Sequence, residues 1–505
     1  MRKAPGAPTE ICTLYLCGKR ALETSRIAAA LSLLVAAATD AHERWPRIYG
    51  NPTGVRIIYP AAQTPPDALE EAARATGCAL LAIDGPADFL VAQCDLAIVA
   101  SPEEASLAGL LPVLILPSAA GGVCLFDRGE PPFLATTVRR TEQPFSVATR
   151  ALIATAALAP PRGAHETRKL ADYLAEDPDT QAGRHAYDLL LWLVGQRTGG
   201  GVPDNSWERA LEVARQVRPG ALSTVEAMHA AYARADRLAF TYGKRWRSTL
   251  VARSLLLLLA CICSGLIGGL FPRLSVVTIP IQVAATILIF IDGRHAARNR
   301  WREKWLEYRR LAETLRVKRF LALCGVASDR INNLDWVDWM AHRASSPFDM
   351  LGEAAAPAVI AHLAAVEIGE QIAYHRDAFR GFRRLDHRLR RSAVIALCAF
   401  VVLGAALGAL VLAHYAVTSV SFSSAIGLAF TAAPTLYATL NSVRRDLDVT
   451  RQARRSADIV VGLKGLAHAI TIAPATAEVC GAAGLHAAEI MRDDVSSWHG
   501  VIEVL

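Results

Sequence analysis

Four apolar stretches, arranged as two pairs, constrain this chain more than any other feature. They are Ser254–Phe271, Leu274–Ile291, Ala393–Ala416 and Val420–Leu440, about 18 to 24 residues each and free of Asp, Glu, Lys and Arg. At ~1.5 Å rise per residue, a helix of that length crosses a hydrocarbon core of ~30 Å. The chain therefore reads as an integral membrane protein, with soluble parts attached to two membrane hairpins. Hydrophobic residues make up 52% of the 505, and the excess sits in these segments.

Charge placement supplies an orientation. The link inside the first pair carries only Arg273, and the link inside the second, around His414 and Tyr415, carries no Lys or Arg. The outer flanks are basic: Lys244, Arg245 and Arg247; Arg294, Arg298, Arg300, Arg302 and Lys304; Arg380 through Arg391; Arg444, Arg445, Arg451, Arg454 and Arg455. The positive-inside rule then puts both termini and the central segment in the cytoplasm, with the spans in the cell inner membrane. The net charge of +7 is explained by these flanks, so no binding of duplex nucleic acid is expected. Ten cysteines are scattered without a Cys-x-x-Cys pair, which fits reduced, packed thiols and no metal site.

Before residue 150 the period changes. Ile11–Cys17, Val55–Tyr59, Cys78–Ile83, Asp95–Ala100 and Pro112–Leu116 read as strands, and Thr24–Ala41, Asp67–Thr76 and Ala87–Gln93 as helices. Alternating apolar strands and helices predict an α/β domain with a doubly wound, mostly parallel sheet. An all-α region of four transmembrane helices with long cytoplasmic helices would follow. Such sheets take ligands at the carboxyl ends of their strands. Gly18, Lys19 and Arg20, Asp84 and Ser101 would lie there, and Lys19 and Arg20 could neutralise a phosphate or form a solvated turn.

ICTLYLCGKRAL resembles the opening strand and turn of SLOG-type Rossmann-like domains, and FLVAQCDLAIVAS is similar to the strand these write as Cys-Asp-Leu-Leu-Ile-Ala, with Asp95 as its Asp. The resemblance implies a domain that senses or processes nucleotides. Lys19 replaces the usual His, Thr64-Pro65-Pro66 replaces the Gly-Ala-Asp-Arg turn, and SPEEASLAGLL replaces the Gly-Gly-Thr phosphate loop. Glu103 and Glu104 in that loop would repel an anion, so a degenerate, structural domain is an equal reading.

Residues 151–250 read as a helical connector running into the first hairpin at 251–292. A cytoplasmic helical segment follows at 293–392, then the second hairpin at 393–441 and C-terminal helices at 442–505. Gly265-x-x-x-Gly269 and Gly404-x-x-x-Gly408 place small residues four apart, where helix backbones approach closely within a hairpin or between copies. Trp301, Trp305, Tyr308, Ala312 and Leu315 recur at helical spacing, and Arg309, Glu313 and Arg316 can pair along the same helix. WREKWLEYRRLAETLR resembles the helix after the hairpin in SLATT domains, two-span effector modules associated with SLOG domains in bacterial conflict systems.

No phosphate-binding Gly-rich loop, Gly-x-Ser-x-Gly elbow or His-Glu-x-x-His occurs, so no catalytic residue, cofactor or metal is assigned. The expectation is a four-span membrane effector, acting as a homo-oligomer in the lipid bilayer. The resemblances imply a nucleotide-derived signal and a role in antiphage defence. A membrane-tethered nucleotide-processing enzyme and a non-catalytic scaffold are the alternatives.

Overall fold

The computed structural model describes residues 11–16, 24–45, 48, 55–61, 67–99, 113–115, 123–127, 137–141, 150, 154, 160–161, 163–179, 185–193, 205–269, 275–327, 335–412 and 434–499. Among these, helix dominates. The first strands and helices are β1 (Ile11–Leu16), α1 (Thr24–Arg44), β2 (Val55–Pro60), α2 (Asp67–Thr76), β3 (Ala79–Ile83), α3 (Ala87–Val91), β4 (Leu96–Val99), β5 (Val113–Ile115), β6 (Val123–Asp127) and β7 (Thr137–Thr141). They form one sheet in the order β3-β2-β1-β4-β5-β6-β7. Pairing is parallel from β3 to β5 and antiparallel across β5-β6 and β6-β7.

The doubly wound, mostly parallel domain expected of residues 1–150 is not what forms. Its strands are short, three to six residues, and an antiparallel pair closes the sheet. Among the described residues, only one face carries full-length crossover helices of its own. There Ile11, Val55, Ile57, Leu96, Ile98 and Leu114 share a core with Ile27, Leu31 and Leu34 of α1 and Leu69 and Ala72 of α2. On the other face, Ile58, Ile83, Ala97 and Val99 meet Phe89 and Leu90 of the five-residue α3. That face is then completed by helices from far along the chain, through Ala210, Ala214, Val225 and Phe320. The reason is length. The five-residue α3 is too short to cover a face, so among the described residues the sheet's second apolar face is buried on the helical unit.

That unit comprises α4 (Ala164–Ala175), α5 (Ala186–Leu193), α6 (Ser206–Gln216), α7 (Leu222–Gly269), α8 (Ser275–Arg298), α9 (Trp301–Leu323), α10 (Trp336–Arg343), α11 (Ala356–His362), α12 (Gly369–Leu412), a helical segment at 434–446, α13 (Val449–Ile472) and α14 (Ala477–His499). A π-helical turn, Leu363–Ile368, joins α11 to α12 without a break. α7 has 48 residues, a length of ~72 Å. Its first half is packed in the core and its second half is apolar.

Among the described residues, four helices are long and apolar enough to cross a membrane: α1, α7, α8 and α12. This is the composition of a membrane protein. The set differs from the expected four in one member. The fourth expected span, Val420–Leu440, is described only from residue 434, and α1 takes its place. α1 is a different kind of apolar helix, because Ile27, Leu31, Leu33 and Leu34 are fully buried against the sheet core. On α8, by contrast, Val277, Ile287, Phe290 and Ile291 are all more than half exposed.

Both exits from the apolar pairs turn the same way. Arg300 (φ 52) separates α8 from α9, and Asp448 (φ 49) separates the 434–446 helix from α13. These are the only left-handed residues other than glycine among those described, and each breaks a helix just beyond an apolar segment. Glycine serves the same need at Gly325, which ends α9 with φ +69. A Cβ at that position would lie 2.2 Å from the Leu351 backbone nitrogen, so only glycine allows the approach.

Candidate functional site

α9 is polar by composition yet buried on nearly every face. It packs on α7, α10 and α14 and forms the axis of the helical unit. The seam residues expected from its spacing lie along the α7 side. Trp301 and Tyr308 are buried, and Trp305 sits against Gly243, where a Cβ would come within 2.9 Å of the indole. The Arg247 guanidinium stacks 5.1 Å above Trp305. Tyr308 meets Tyr173, Tyr242 and Trp336 at ring separations of 5.3, 5.6 and 6.0 Å. Arg309 pairs with Glu313 one turn along α9 and with Asp236 of α7 at 3.3 Å, and Arg316 reaches Glu313 at 2.7 Å. Burial would raise the Glu313 carboxyl, but Arg309, Arg316 and His375 outweigh it and hold it below its ordinary value. These groups clamp α9 to the amino-terminal half of α7, the helix that continues as the first apolar stretch.

Further along α9, Arg319 is fully buried and forms an ion pair with Glu367 of the π-helical turn. Its guanidinium stacks 4.1 Å above Trp207 and donates to the Ser206 hydroxyl at 3.1 Å. His362 approaches the other Glu367 oxygen at 3.3 Å. Burial pushes Glu367 up, and Arg319 and His362 more than reverse it, so the carboxyl lies below its ordinary value. The pair ties α9 and α6 to the turn that leads into α12. π-Turns often mark functional positions in helices, and this one places Glu367 where it faces Arg319.

The sheet meets the same helices at a third cluster. Asp95, at the amino end of β4, is buried against Arg343 of α10 at 2.9 Å, and His342 lies 3.5 Å from its other oxygen. Beside them is a cavity of about 130 Å³, lined among others by Gln93, Asp95, Lys318, His342, Arg343 and Ser346. Desolvation pushes the half-buried Lys318 ammonium down to about 8, with Arg492 adding to the fall and Asp338 opposing it. A strap leaves α10 here, running over residues 344–351. The Gln93 amide donates to the Phe348 carbonyl at 3.2 Å and accepts from the Phe348 N–H at 2.7 Å. Phe348 packs edge-on against Phe89 at 5.7 Å. Met350 N–H donates to the Asp84 carbonyl at 3.0 Å, and Asp84 N–H donates to Asp349 at 3.2 Å. Arg218, between α6 and α7, donates to the carbonyls of Met350 and Asp349.

Of the candidate ligand-site residues, Asp84 and Asp95 are among those described, and they lie at opposite edges of the sheet. Asp84 lies at the carboxyl end of β3, and its backbone is taken up by the strap. Asp95 lies at the amino end of β4, the opposite edge, because α3 runs between the two. Gly18, Lys19, Arg20 and Ser101 lie outside the described residues. Gly265 and Gly269 are in the distal part of α7, and Gly404 and Gly408 are in the distal part of α12. Among the described residues no group of His, Cys, Asp and Glu could hold a metal ion.

Arg319, Glu367, Arg343 and the 344–351 strap went unnoticed in the sequence. Arg343 and Asp95 are separated by 248 positions, and no local period links them. The one available signal was composition: SSPFDM is a proline-bearing, helix-breaking run between two helical patterns.

Comparison with family models, curated proteins and solved structures finds no match for this chain.

Proposed function

We propose that the chain is a multi-span membrane effector whose cytoplasmic unit sets the arrangement of its membrane helices. The observation that carries this reading is helix continuity. α7 and α12 each run without interruption from charged, packed cytoplasmic contacts into exposed apolar stretches. A displacement at the cytoplasmic end is therefore transmitted along a rigid rod. The strap is the natural place for one, since it binds the sheet through Gln93 and Asp84 and leads through α11 into α12.

The resemblance of residues 11–22 and 89–101 to SLOG domains, and of 301–316 to SLATT domains, supports a nucleotide-derived signal and a defence role. A cavity of about 130 Å³ is below the ~300 Å³ at which small-molecule pockets begin. A nucleotide would have to displace the strap to bind there, and that displacement would be the signal. A ligand preferring the displaced strap shifts the population of the two arrangements by its difference in affinity. Basic flanks support a reading with both termini on the cytoplasmic side of the inner membrane. The paired glycines favour assembly of several copies around a pore lined by Ser, Thr and backbone.

Dye release from vesicles holding the full chain, with and without nucleotide second messengers, tests the reading. The expected outcome is release that depends on nucleotide and is lost in Q93A. No release under any oligomeric condition would remove the pore from the account.

A further inference from the structure

We propose that α5 is an interfacial anchor, a short helix laid along the headgroup–acyl boundary of the leaflet next to the cytoplasmic unit. The inference rests on the membrane reading above.

α5 has two unlike faces. Leu190 is buried, and Tyr187 and Leu191 pack beside it. Leu189, Trp192 and Leu193, at positions i, i+3 and i+4, form the opposite face and are 47%, 71% and 61% exposed. Three large apolar side chains on one exposed face need a cover that water does not provide.

The position of α5 in the fold identifies that cover. The buried face joins a cluster with Val251 of α7, Leu385 and Leu389 of α12, and Leu440 and Val443. Each of these flanks an apolar segment: Ser254 opens the first, Ala393 opens the third and Leu440 closes the fourth. α5 is held at that level by Tyr187 N–H donating to the Ser248 hydroxyl at 3.3 Å and by Lys244 pairing with Asp188 at 2.7 Å. Arg247 stacks on Tyr187 at 5.6 Å. The exposed face is thus continuous with the exposed apolar surface of the spans, at their cytoplasmic ends. Trp is the side chain that favours this depth, with an apolar body and one N–H for the headgroup region. Arg253, Arg390, Arg391 and Arg445 lie on the same flanks, so anionic headgroups complement the site. A helix of eight residues with large apolar side chains exposed at that level is too short to cross the bilayer and lies in the interface.

The full chain and its W192F variant would be reconstituted in vesicles of phosphatidylcholine and phosphatidylglycerol. Some preparations would carry bromine high in the acyl chains and others near the bilayer centre. Flotation first establishes whether each protein is membrane-bound. The emission of wild type minus W192F isolates Trp192 from the other eight tryptophans. The expected difference spectrum is blue-shifted and more strongly quenched by the shallow bromines than by the deep ones. Emission quenched by aqueous acrylamide alone would overturn the inference while leaving the spans intact. Blue-shifted emission that no bromolipid quenches would assign the face to a second copy of the chain and also overturn it. A chain that fails to float would overturn both this inference and the membrane reading. Because Trp192 is on the surface, W192F keeps the fold, and proteolysis of the cytoplasmic unit confirms it.

Discussion

α8 and α9 follow one another with only Asn299 and Arg300 between them, yet they invert the usual relation between polarity and burial. α8 is almost wholly apolar and shows its large side chains to the surroundings, with Phe290 at 67% exposure. α9 is rich in Arg, Lys and Glu and is buried on nearly every side, with Arg319 at 0%. In water both would be misplaced. The pair makes sense if the solvent of α8 is hydrocarbon and the charges of α9 are neutralised one by one. α1 sharpens the contrast: it has enough hydropathy to span, but its apolar face is spent on the sheet.

The largest expected effect tests the buried charges of α9. Arg319→Met leaves the buried Glu367 without its guanidinium and with only His362 beside it, a loss of up to ~3–5 kcal/mol. Denaturant unfolding in detergent should show a protein near its stability limit. Arg319→Met combined with Glu367→Leu should recover much of the loss, because no charge then remains to be satisfied. A single variant as stable as wild type would mean the pair is not buried as described.

The next tests the surroundings of α8. Val283→Arg places a charge at mid-span, worth ~2.5–3.5 kcal/mol against membrane insertion. It should lower the membrane-inserted fraction while leaving the sheet and the helices around α9 resistant to protease. Leu31→Arg on α1 should do the reverse, unfolding the sheet core without changing insertion. If both variants act through insertion, the contrast between the two helices fails.

Acid provides a graded test. Glu313 and Glu367 have folded-state values held below the ordinary Glu value. The stability they confer is fully present above the unfolded value of ~4.3 and is lost as pH falls through the lower folded values. The helices around α9 should therefore loosen below about pH 4, read by protease resistance, and Glu367→Gln should flatten that loss. Lys318 works in the opposite range. Its ammonium is pushed down to about 8, so folding releases a proton between there and the ordinary ~10.4. Unfolding free energy should rise with pH across that window, and Lys318→Met should abolish the rise.

The smallest effect concerns the breaks after the apolar pairs. Asp448 holds a left-handed conformation, and burial also pushes its carboxyl up. Asp448→Gly relieves both and should raise stability by up to ~1 kcal/mol. A loss would mean that the Asp448 side chain makes a contact worth more than the strain.

Local periods were legible in the chain. The apolar runs, the Asp67–Thr76 helix closed by Gly77, and the Trp301–Tyr308 seam all follow from spacing between near neighbours. What covers each face was not legible. The second face of the sheet is closed by residues such as Val225 and Phe320, more than 100 positions away, so a doubly wound domain was the natural but wrong expectation. Asp95 was legible as the first residue of a strand, but its buried pairing with Arg343, 248 positions away, was not. Hydropathy also could not separate α1 from α8, because it measures composition and not the partner that a helix finds.

Lipid contact is the quantity that separates them most directly. With the full chain in nanodiscs containing photoreactive lipids, cross-linked peptides can be mapped by mass spectrometry. The account predicts labelling across residues 254–291 and 393–412, with none on 24–44 or 301–323. Labelling of α1, or an unlabelled α8, would contradict it.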